Sequence, residues 1–380
     1  MGRELRYGMN PHQAADLISG GPTVLNGDAS LINYLDALNA FALASEAEAL
    51  TGRAAAASFK HVSPAGAAVA GRIDETTAET CGVAEMSEDT PLSAYLRARD
   101  ADPKSSFGDV VALSRPVDLQ TAMFLRTVIC DAVIAPGFEP GALAQLRRKK
   151  SGRFLVFEAH SIAQLPVRER RDVLGVTIEQ DRDAADLAAA LPADPPLDAG
   201  TRMDALLGMV VSRYTQSNSV ALIKDGTTIG IGAGQQNRVD CIRLAGAKAR
   251  VWWLRRHPCV RGLPEVPGMQ RQDRLNWQMR FAGREMTRGQ LDDFGRQFGS
   301  EARALYDEAD WRETWLEGLN GVTLVSDGSL PFRDNVEHAA EAGVATIIEP
   351  GGSLRTNDVV NAALEHGITH VQTGLRLFHH

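Results

Sequence analysis

Short apolar runs and helical segments alternate along the chain, and this alternation limits the fold more than any other feature. Val110 to Leu113 and Val128 to Ile134 have the length and content of buried strands, whereas Leu31 to Glu48 and Leu92 to Arg99 have a helical spacing of apolar residues. Strands that alternate with helices imply a sheet with helices on both faces. The sequence therefore predicts an α/β fold.

The segment from Ala54 to Gly66 reads Ala-Ala-Ala-Ala-Ser-Phe-Lys-His-Val-Ser-Pro-Ala-Gly. It predicts a buried strand that ends at Lys60 and His61, after which Ser63, Pro64 and the glycine stop any regular element. Neighbouring side chains of a strand point to opposite faces, so this pair can serve one pocket only where the strand gives way to a loop. A solvated strand end is the alternative to a catalytic centre.

The second half contains a dense polar segment, Tyr214 to Val220, followed by two predicted strands and a glycine-bearing turn, Gly232 to Arg238. A turn of this kind before a helix can present backbone N–H groups to an anion. It lacks the third glycine of a dinucleotide motif, because Asn237 stands there, and it has no Walker lysine. A plain strand-to-helix turn is the alternative. Taken alone, a third polar cluster, Ser326 to Asn335, predicts a surface loop.

Chain length and a change of composition predict two lobes. A chain of 380 residues is too long for one ordinary core. The Ala-rich sequence gives way to a Pro-rich connection between residues 180 and 201, so we predict a first lobe over 1–185, a linker over 186–201 and a second lobe over 202–380. Residues 251–320 show no clear periodicity and predict helices and long loops, with a role in a subunit contact.

Charge and cysteine content exclude several classes of protein. A formal charge of -8 argues against nucleic-acid binding, which depends on clustered Lys and Arg. The four cysteines show no paired spacing, which predicts free thiols and a reducing cytoplasm. Pro258-Cys259 resembles half of a zinc-deaminase signature, but Gly262 replaces the second cysteine, so no zinc is expected. No apolar run approaches 18 residues, so no membrane span is expected.

Seven motifs taken together resemble the AICAR transformylase family, in the same order from Arg6 to His380. They read Arg-Tyr-Gly-Met-Asn-Pro-His-Gln, Ser-Phe-Lys-His-Val-Ser-Pro-Ala-Gly, Lys-Ser-Ser-Phe-Gly-Asp, Tyr-Thr-Gln-Ser-Asn-Ser-Val, Gly-Ile-Gly-Ala-Gly-Gln-Gln, Pro-Phe-Arg-Asp-Asn and Leu-Arg-Leu-Phe-His-His. That family transfers a formyl group from 10-formyltetrahydrofolate to the amino group of an aminoimidazole carboxamide ribotide (AICAR) in purine synthesis.

The resemblance implies two cytidine-deaminase-like α/β lobes with mixed sheets and no zinc. It also implies a cytoplasmic homodimer with active sites at the subunit interface, and leaves room for a structural potassium ion. The family usually carries an IMP cyclohydrolase domain before this one. Because the chain begins at the first transformylase motif, we expect a stand-alone formyltransferase without cyclohydrolase activity.

The resemblance also assigns roles to residues at matching positions. His61 is the expected proton acceptor, Lys60 stabilises transition-state charge, and Asn218 meets a carboxamide or formyl oxygen. The expected ribotide contacts are Arg6, Tyr7, Gly108, Asp131, Asn218, Arg238, Arg376 and Phe378. The expected folate contacts are Val239, Pro331, Asp334, Ser353 and Leu354.

One departure and two alternatives stand beside this interpretation. Ser329-Leu330 occupies a place where the family often has aromatic residues, which bears on how the pterin is held. The chain is alternatively a non-catalytic sensor of ribotide or folate, or a formyltransferase that acts on a different aminated ribotide.

Overall fold

A computed structural model describes residues 2–84, 88–159 and 165–380 of the chain. Over these residues the protein forms an eleven-stranded mixed sheet and two separate two-stranded sheets. Helices cover both faces of the large sheet, with apolar cores between the helices and each face. This arrangement confirms the predicted α/β fold.

The first half of the described chain contributes ten strands. They are β1 (Arg3–Glu4), β2 (Asp16–Leu17), β3 (Thr23–Asn26), β4 (Ala55–Phe59), β5 (Pro64–Val69), β6 (Asp109–Leu113), β7 (Cys130–Ala135), β8 (Leu155–Glu158), β9 (Arg168–Val173) and β10 (Val176–Asp181). Its helices are α1 (Leu31–Thr51), α2 (Glu75–Cys81), α3 (Pro91–Ala101), α4 (Leu119–Thr127) and α5 (Ala142–Arg147), with a 3-10 turn over Lys149–Gly152.

The second half of the described chain contains more helix. Its helices are α6 (Leu187–Ala190), α7 (Ala199–Arg213), α8 (Arg238–Leu254), α9 (Pro258–Arg261), α10 (Arg271–Gly283), α11 (Arg288–Asp307), α12 (Asp310–Leu316), α13 (Arg333–Glu341) and α14 (Thr356–Glu365). Its strands are β11 (Val220–Lys224), β12 (Thr227–Gly232), β13 (Val322–Ser326), β14 (Val344–Glu349) and β15 (Thr369–Gln372).

The large sheet repeats one topology twice. Its order is β15-β14-β13-β11-β12-β5-β4-β6-β7-β8-β3. In each half an antiparallel hairpin is followed by one antiparallel and two parallel neighbours, as β5-β4-β6-β7-β8 and as β12-β11-β13-β14-β15. The two repeats meet where β12 pairs antiparallel with β5, with Thr227 opposite Ala68. The predicted pair of α/β lobes therefore shares one continuous sheet.

Glycines on the two central strands allow helices to pack directly on the sheet. A Cβ on Gly66 of β5 would lie 2.1 Å from the carbonyl oxygen of Ala98 in α3. A Cβ on Gly230 of β12 would lie 2.1 Å from the carbonyl oxygen of Ala245 in α8. In each repeat, a glycine thus allows the covering helix to pack closely on the equivalent strand of the sheet.

The prediction that regular structure stops at Ser63, Pro64 and Gly66 is wrong. The chain resumes at Pro64 as β5, a strand buried along its whole length. Proline is tolerated as the first residue of a strand, and Gly66 marks the close approach of α3 rather than a turn. The loop after Lys60 is therefore a tight connection between two core strands.

Two other regions bear on the predicted organisation. The segment 186–201 carries α6 and the start of α7, and the proposed division into domains stays a prediction. Residues 258–316 form four helices, α9 to α12, around an aromatic core of their own that includes Phe281, Phe294 and Phe298. These helices connect α8 to β13, where the first repeat has only a short loop between α3 and β6. Among the described helices none is long and apolar enough to cross a membrane.

Candidate active site

The predicted site residues lie on segments that meet at one end of the large sheet. Strands β4, β12, β13, β14 and β15 end here, whereas β5, β6, β7 and β11 begin here. We call this end the site edge. Residues far apart in sequence thus reach one edge because the two repeats join antiparallel.

The turn between β4 and β5 holds Lys60 and His61 in a fixed shape. The Lys60 N–H donates to the carbonyl of Ser63 across 3.0 Å, while its ammonium donates to the carbonyl of Phe107 across 2.7 Å. His61 and Val62 both adopt left-handed backbone angles, with φ values of 55° and 56°. Such angles are unfavourable for non-glycine residues, so the surrounding contacts must hold them.

Asp36 of α1 supplies one of those contacts. Its carboxylate accepts the Val62 N–H across 2.6 Å. Burial raises the pKa of Asp36 above its ordinary value, while the Val62 N–H and the nearby His61 act in the opposite direction. The carboxylate therefore orients the turn, and the His61 imidazole is left exposed without a hydrogen-bond partner among the described side chains.

The amino-terminal arm is attached at the start of the same helix. Leu31, the first residue of α1, donates its N–H to the carbonyl of Tyr7 across 3.0 Å. Asp36 lies five residues further on, about 7.5 Å along a helix. The Arg6 guanidinium donates to the Tyr7 hydroxyl across 3.0 Å and remains exposed. Both expected ribotide contacts are thus attached to the N-terminal end of the helix whose Asp36 orients the His61 turn.

Gly108 and Asp131 lie beside this turn at the starts of β6 and β7. A Cβ on Gly108, where φ is 77°, would lie 3.8 Å from the Asp131 carboxylate. Asp131 is exposed and pairs with the Lys150 ammonium across 2.6 Å. The first repeat therefore contributes two ammonium groups, one imidazole and two carboxylates, those of Asp36 and Asp131, to the site edge.

Asn218 and Arg238 form the centre of the second repeat's contribution. The Arg238 guanidinium donates to the side-chain oxygen of Asn218 across 2.9 Å and to the carbonyl of Ser219 across 2.8 Å, and it pairs with the buried Asp327 carboxylate. The amide NH2 of Asn218 has no partner among the described residues. Arg238 thus fixes which end of this amide is free to meet a ligand.

The carboxyl-terminal tail packs against the segment that carries Asn218 and Arg238. Ser217 and His379 exchange two hydrogen bonds, from the Ser217 N–H to the His379 carbonyl across 2.9 Å and from the His379 N–H to the Ser217 hydroxyl across 3.0 Å. A Cβ on Gly328 would lie 2.6 Å from both the Arg238 guanidinium and the Phe378 ring. The Arg376 guanidinium lies 4.7 Å from the centre of the Phe378 ring and is exposed.

The expected folate contacts lie on three segments of the second repeat. Val239 and Asp334 lie in the first turns of α8 and α13, and Pro331 lies just before α13. The Ser329 hydroxyl donates to the Gly351 carbonyl across 2.6 Å, which joins the Pro331 loop to the Ser353-Leu354 loop. Leu354 is fully exposed.

The departure at Ser329-Leu330 has a structural explanation. Leu330 is buried in the core of the second repeat, and its N–H donates to Glu349 across 3.1 Å. The next aromatic residue, Phe332, is half-exposed and has the Arg355 guanidinium 5.5 Å from its ring centre. Leu330 therefore supports the loop from below, and Phe332 is the aromatic side chain available at the surface.

Three residues that fix the geometry of the candidate site were not expected from the sequence. Asp327 was placed in a surface loop, but it is fully buried against Arg238, and that prediction is wrong. Ser217 and Asp36 orient the tail and the His61 turn. The position of Asp327 directly after a predicted strand was the available signal, whereas the contact of Asp36 with Val62 depends on how α1 packs.

The group around Lys60 and His61 lies next to the group around Asn218 and Arg238, but the two do not overlap. The Gln216 N–H donates to the Ser63 hydroxyl across 3.4 Å, which connects the polar segment before β11 to the His61 turn. However, β11 and β4 are separated by β12 and β5, a span of three strand spacings or about 14 Å. A single chain therefore carries two separate groups of predicted site residues along the site edge.

Comparison with known proteins decides the family. A sequence model of the AICARFT/IMPCHase bienzyme family matches residues 1–248. The chain belongs to the AICARFT/IMPCHase family. Its relatives include the "Bifunctional purine biosynthesis protein PurH" of Roseobacter denitrificans, 31% identical over 397 residues that cover 100% of this chain and 60% of the relative. The same protein of Rhodospirillum rubrum is 31% identical over 393 residues, which cover 99% of this chain and 59% of the relative.

Membership of the AICARFT/IMPCHase family agrees with the resemblance drawn from the seven motifs. The chain spans about 60% of the length of the curated relatives it matches. Among the described residues no group of three or more His, Cys, Asp or Glu side chains is placed to hold a metal ion. A potassium site stays a prediction.

Proposed function

We propose that the chain is a formyltransferase that moves the formyl group of 10-formyltetrahydrofolate to the 5-amino group of AICAR. The observation that carries this proposal is that Lys60, His61 and Asn218 all lie along one edge of the sheet in a member of the AICARFT/IMPCHase family. The products are formyl-AICAR and tetrahydrofolate.

The reaction explains why an imidazole and an ammonium are placed together. The 5-amino group shares its lone pair with an imidazole ring that bears a carboxamide, so it is a poor nucleophile and must lose a proton as the new C–N bond forms. His61 is exposed and has a free ring to take that proton. A positioned base of this kind contributes about 10² to 10⁴ in rate. In this proposal the Lys60 ammonium, held by the Phe107 carbonyl, stabilises the oxyanion.

Asn218 and the two exposed arginines complete the binding of the ribotide. Because Arg238 occupies the amide oxygen of Asn218, the amide NH2 is left to donate to the carboxamide or formyl oxygen. Arg6 and Arg376 have the planar, doubly donating group that suits a phosphate. We assign the phosphate to these two arginines, and the ring and carboxamide to Gly108, Asp131 and Arg238 with its neighbour Phe378.

We assign the folate to the surface that carries Val239, Pro331, Asp334, Ser353 and Leu354. Phe332, which is half-exposed, offers an aromatic face there. The Asp334 carboxylate in the first turn of α13 is suited to accept hydrogen bonds from the pterin amine. Variants of Phe332 and Asp334 should raise the KM for formyl-folate without raising that for the ribotide.

A homodimer with shared active sites is part of this proposal. We treat the Lys60–His61 group and the Asn218–Arg238 group as two half-sites. The distance of about 14 Å between β4 and β11, the strands next to them, supports a site completed by a second chain. The separate β9-β10 hairpin supports it as well, because Leu174 is 101% exposed and Val167 is 80% exposed, and an uncovered two-stranded hairpin is marginal in water. Arg171 of this hairpin donates to the carbonyl of His380, so a chain covering the hairpin would adjoin the site edge.

Light scattering tests the dimer. The expected mass is twice the 41.0 kDa of one chain. Leu174→Asp should shift the protein toward the monomer and lower turnover, whereas Leu364→Asp, a change at another exposed leucine on α14, should do neither. A monomeric wild-type protein with full turnover contradicts the shared site.

The activity itself is tested by mixing purified protein with AICAR and 10-formyltetrahydrofolate and following tetrahydrofolate by absorbance. Turnover supports the proposal. Binding of both ligands without turnover would instead support the sensor alternative. Turnover with another aminated ribotide but not with AICAR would support a formyltransferase with a different acceptor.

A further inference from the structure

Helices α9 to α12, residues 258–316, form an insertion between α8 and β13 that borders a cavity away from the site edge. The cavity has a volume of about 370 Å³ and is bounded by the turn at Val266–Met269, by one face of α10 and by Gln297 of α11. A pocket of this size is within the usual range for small-molecule sites. The insertion begins where α8 ends, and α8 runs away from the site edge, since Cys241 lies over Gly232 and Ala245 over Gly230.

The face of α10 that lines the cavity has an unusual composition. Asp273, Asn276, Trp277 and Arg280 follow the i, i+3, i+4, i+7 spacing that normally forms the apolar stripe of a helix packed on its neighbours. Three of these four side chains are polar. The face therefore borders a cavity instead of filling a core.

Most polar groups on this face are available to a ligand, since only the Asn276 side-chain oxygen accepts a described hydrogen bond, from the Gln272 amide across 3.3 Å. The Asp273 carboxylate and the Gln297 amide have no hydrogen-bond partner among the described residues, and the only described interaction of the Arg280 guanidinium is with the Trp277 ring, 5.1 Å away. Trp277 is itself held by Phe294 and Phe298, whose ring centres lie 5.8 and 6.1 Å from its own. A rigid aromatic surface thus lies between an unpaired carboxylate and a cation.

We propose that this cavity is a second ligand site that takes a guanine nucleoside monophosphate. Asp273 and Arg280 are seven residues apart, about 10.5 Å along a helix. A ligand that joins them needs hydrogen-bond donors at one end, an anion at the other and a flat ring between. The N1–H and exocyclic amine of guanine are adjacent donors that match a carboxylate, and the phosphate matches a guanidinium.

Trp277 supplies the stacking surface for the base. Adenine lacks the pair of adjacent donors, so Asp273 would discriminate against it. The Asn276 and Gln297 amides can donate to or accept from the remaining polar atoms of the base and ribose. This site is independent of the proposed formyl transfer, because it uses none of the residues at the site edge.

The test is titration of the full chain with GMP, followed by calorimetry and by tryptophan fluorescence. We expect GMP to bind, and we expect the affinities for AMP, CMP and ribose 5-phosphate to be lower by at least about tenfold. A factor of about ten is the scale of one lost charge-assisted hydrogen bond. Asp273→Asn and Arg280→Gln should each weaken GMP by a similar factor. The matched changes Asp292→Asn and Arg288→Gln, at exposed positions of α11 outside the cavity, should leave GMP affinity unchanged.

Three outcomes overturn the proposal: no GMP binding up to millimolar concentration, equal affinity for AMP, or GMP affinity that survives both cavity variants. Circular dichroism of each variant excludes a folding defect, and a loss of affinity confined to the two cavity variants supports the site. Formyl-transfer turnover without GMP is measured in parallel. A wild-type chain without formyl-transfer turnover would contradict the proposed function. The GMP titration would still decide whether the cavity is a ligand site.

Discussion

The Arg238 guanidinium donates to the side-chain oxygen of Asn218 across 2.9 Å, and this contact sets the direction in which the Asn218 amide points. The same guanidinium is paired with Asp327, whose side chain is completely buried. The orientation of a proposed substrate contact therefore depends on an ion pair underneath it. That dependence gives Arg238 a structural role beside its proposed role in binding.

Loss of Arg238 should be strongly destabilising. Arg238→Met leaves the Asp327 carboxylate buried without its cation, and breaking a buried pair in this way costs about 3–5 kcal/mol. Urea unfolding measures the change. The double variant Arg238→Met/Asp327→Leu should recover part of the loss, because no charge is then left unpaired. A double variant that is as unstable as the sum of the two single variants would contradict this explanation.

The close packing of α8 on β12 predicts an intolerance to any side chain at Gly230. Gly230→Ala places a methyl group 2.1 Å from the Ala245 carbonyl, and overpacking of this kind costs about 1–3 kcal/mol or more. The control is Gly289→Ala in α11, where a Cβ would meet nothing within 4 Å and alanine should stabilise by about 0.5–1 kcal/mol. Equal stability of the two variants would be inconsistent with the contact.

Much of this fold was predictable, and the failures have physical causes. The strands around Val110 and Val322 and the helices over Leu31 and Met203 follow from apolar spacing, which burial enforces. Pro64 and Gly66 were misinterpreted as a stop because their local preference is for turns, whereas α3 requires a small residue on a buried strand there. Tertiary contact overrode local preference at that point.

The site was predictable as a set of motifs but not as a geometry. Nothing in the sequence near Asp36 indicates that it holds the His61 turn, because that contact depends on how α1 crosses the sheet. The pairing of β12 with β5 likewise joins residues 159 positions apart, Ala68 and Thr227. Only the structure shows that this pairing carries both groups of predicted site residues to one edge.

Asp204 should make stability depend on pH. Its carboxylate accepts the N–H groups of Asp225 and Gly226 across 3.0 and 2.6 Å, and burial raises its pKa to about 6. The folded pKa lies above the unfolded value of about 3.9. The contribution of Asp204 to the free energy of unfolding is therefore complete below about pH 4 and is lost as pH rises through about 6. The free energy of unfolding of wild type relative to Asp204→Asn should therefore fall, on the order of 3 kcal/mol, between pH 4 and 7.

Measurement of both proteins by urea unfolding at each pH checks the sign. A relative stability that rises with pH, or does not change, would show that Asp204 is ionised in the folded protein at pH 5. The asparagine variant also loses one acceptor, which lowers its stability by a constant amount and leaves the slope unaffected.

The four cysteines should differ in reactivity. Burial raises the pKa of Cys81 to about 12 and those of Cys130 and Cys241 to about 11, so these three thiols are protonated at pH 8 and shielded from reagents. Cys259 is half-buried. A thiol reagent should modify one group rapidly in the native protein and four in denaturant, and Cys259→Ser should remove the rapid phase. Rapid modification of two or more thiols in the native state would contradict the burial.

The central claim is that His61 accepts the proton of the attacking amine. The most direct test is the formyl-transfer turnover of His61→Ala, with AICAR affinity measured by calorimetry on the same preparation. We predict a fall in turnover of at least about 10²-fold with AICAR affinity nearly unchanged, as expected for a general base. Turnover comparable with that of the wild-type chain would remove His61 from the mechanism and contradict the account.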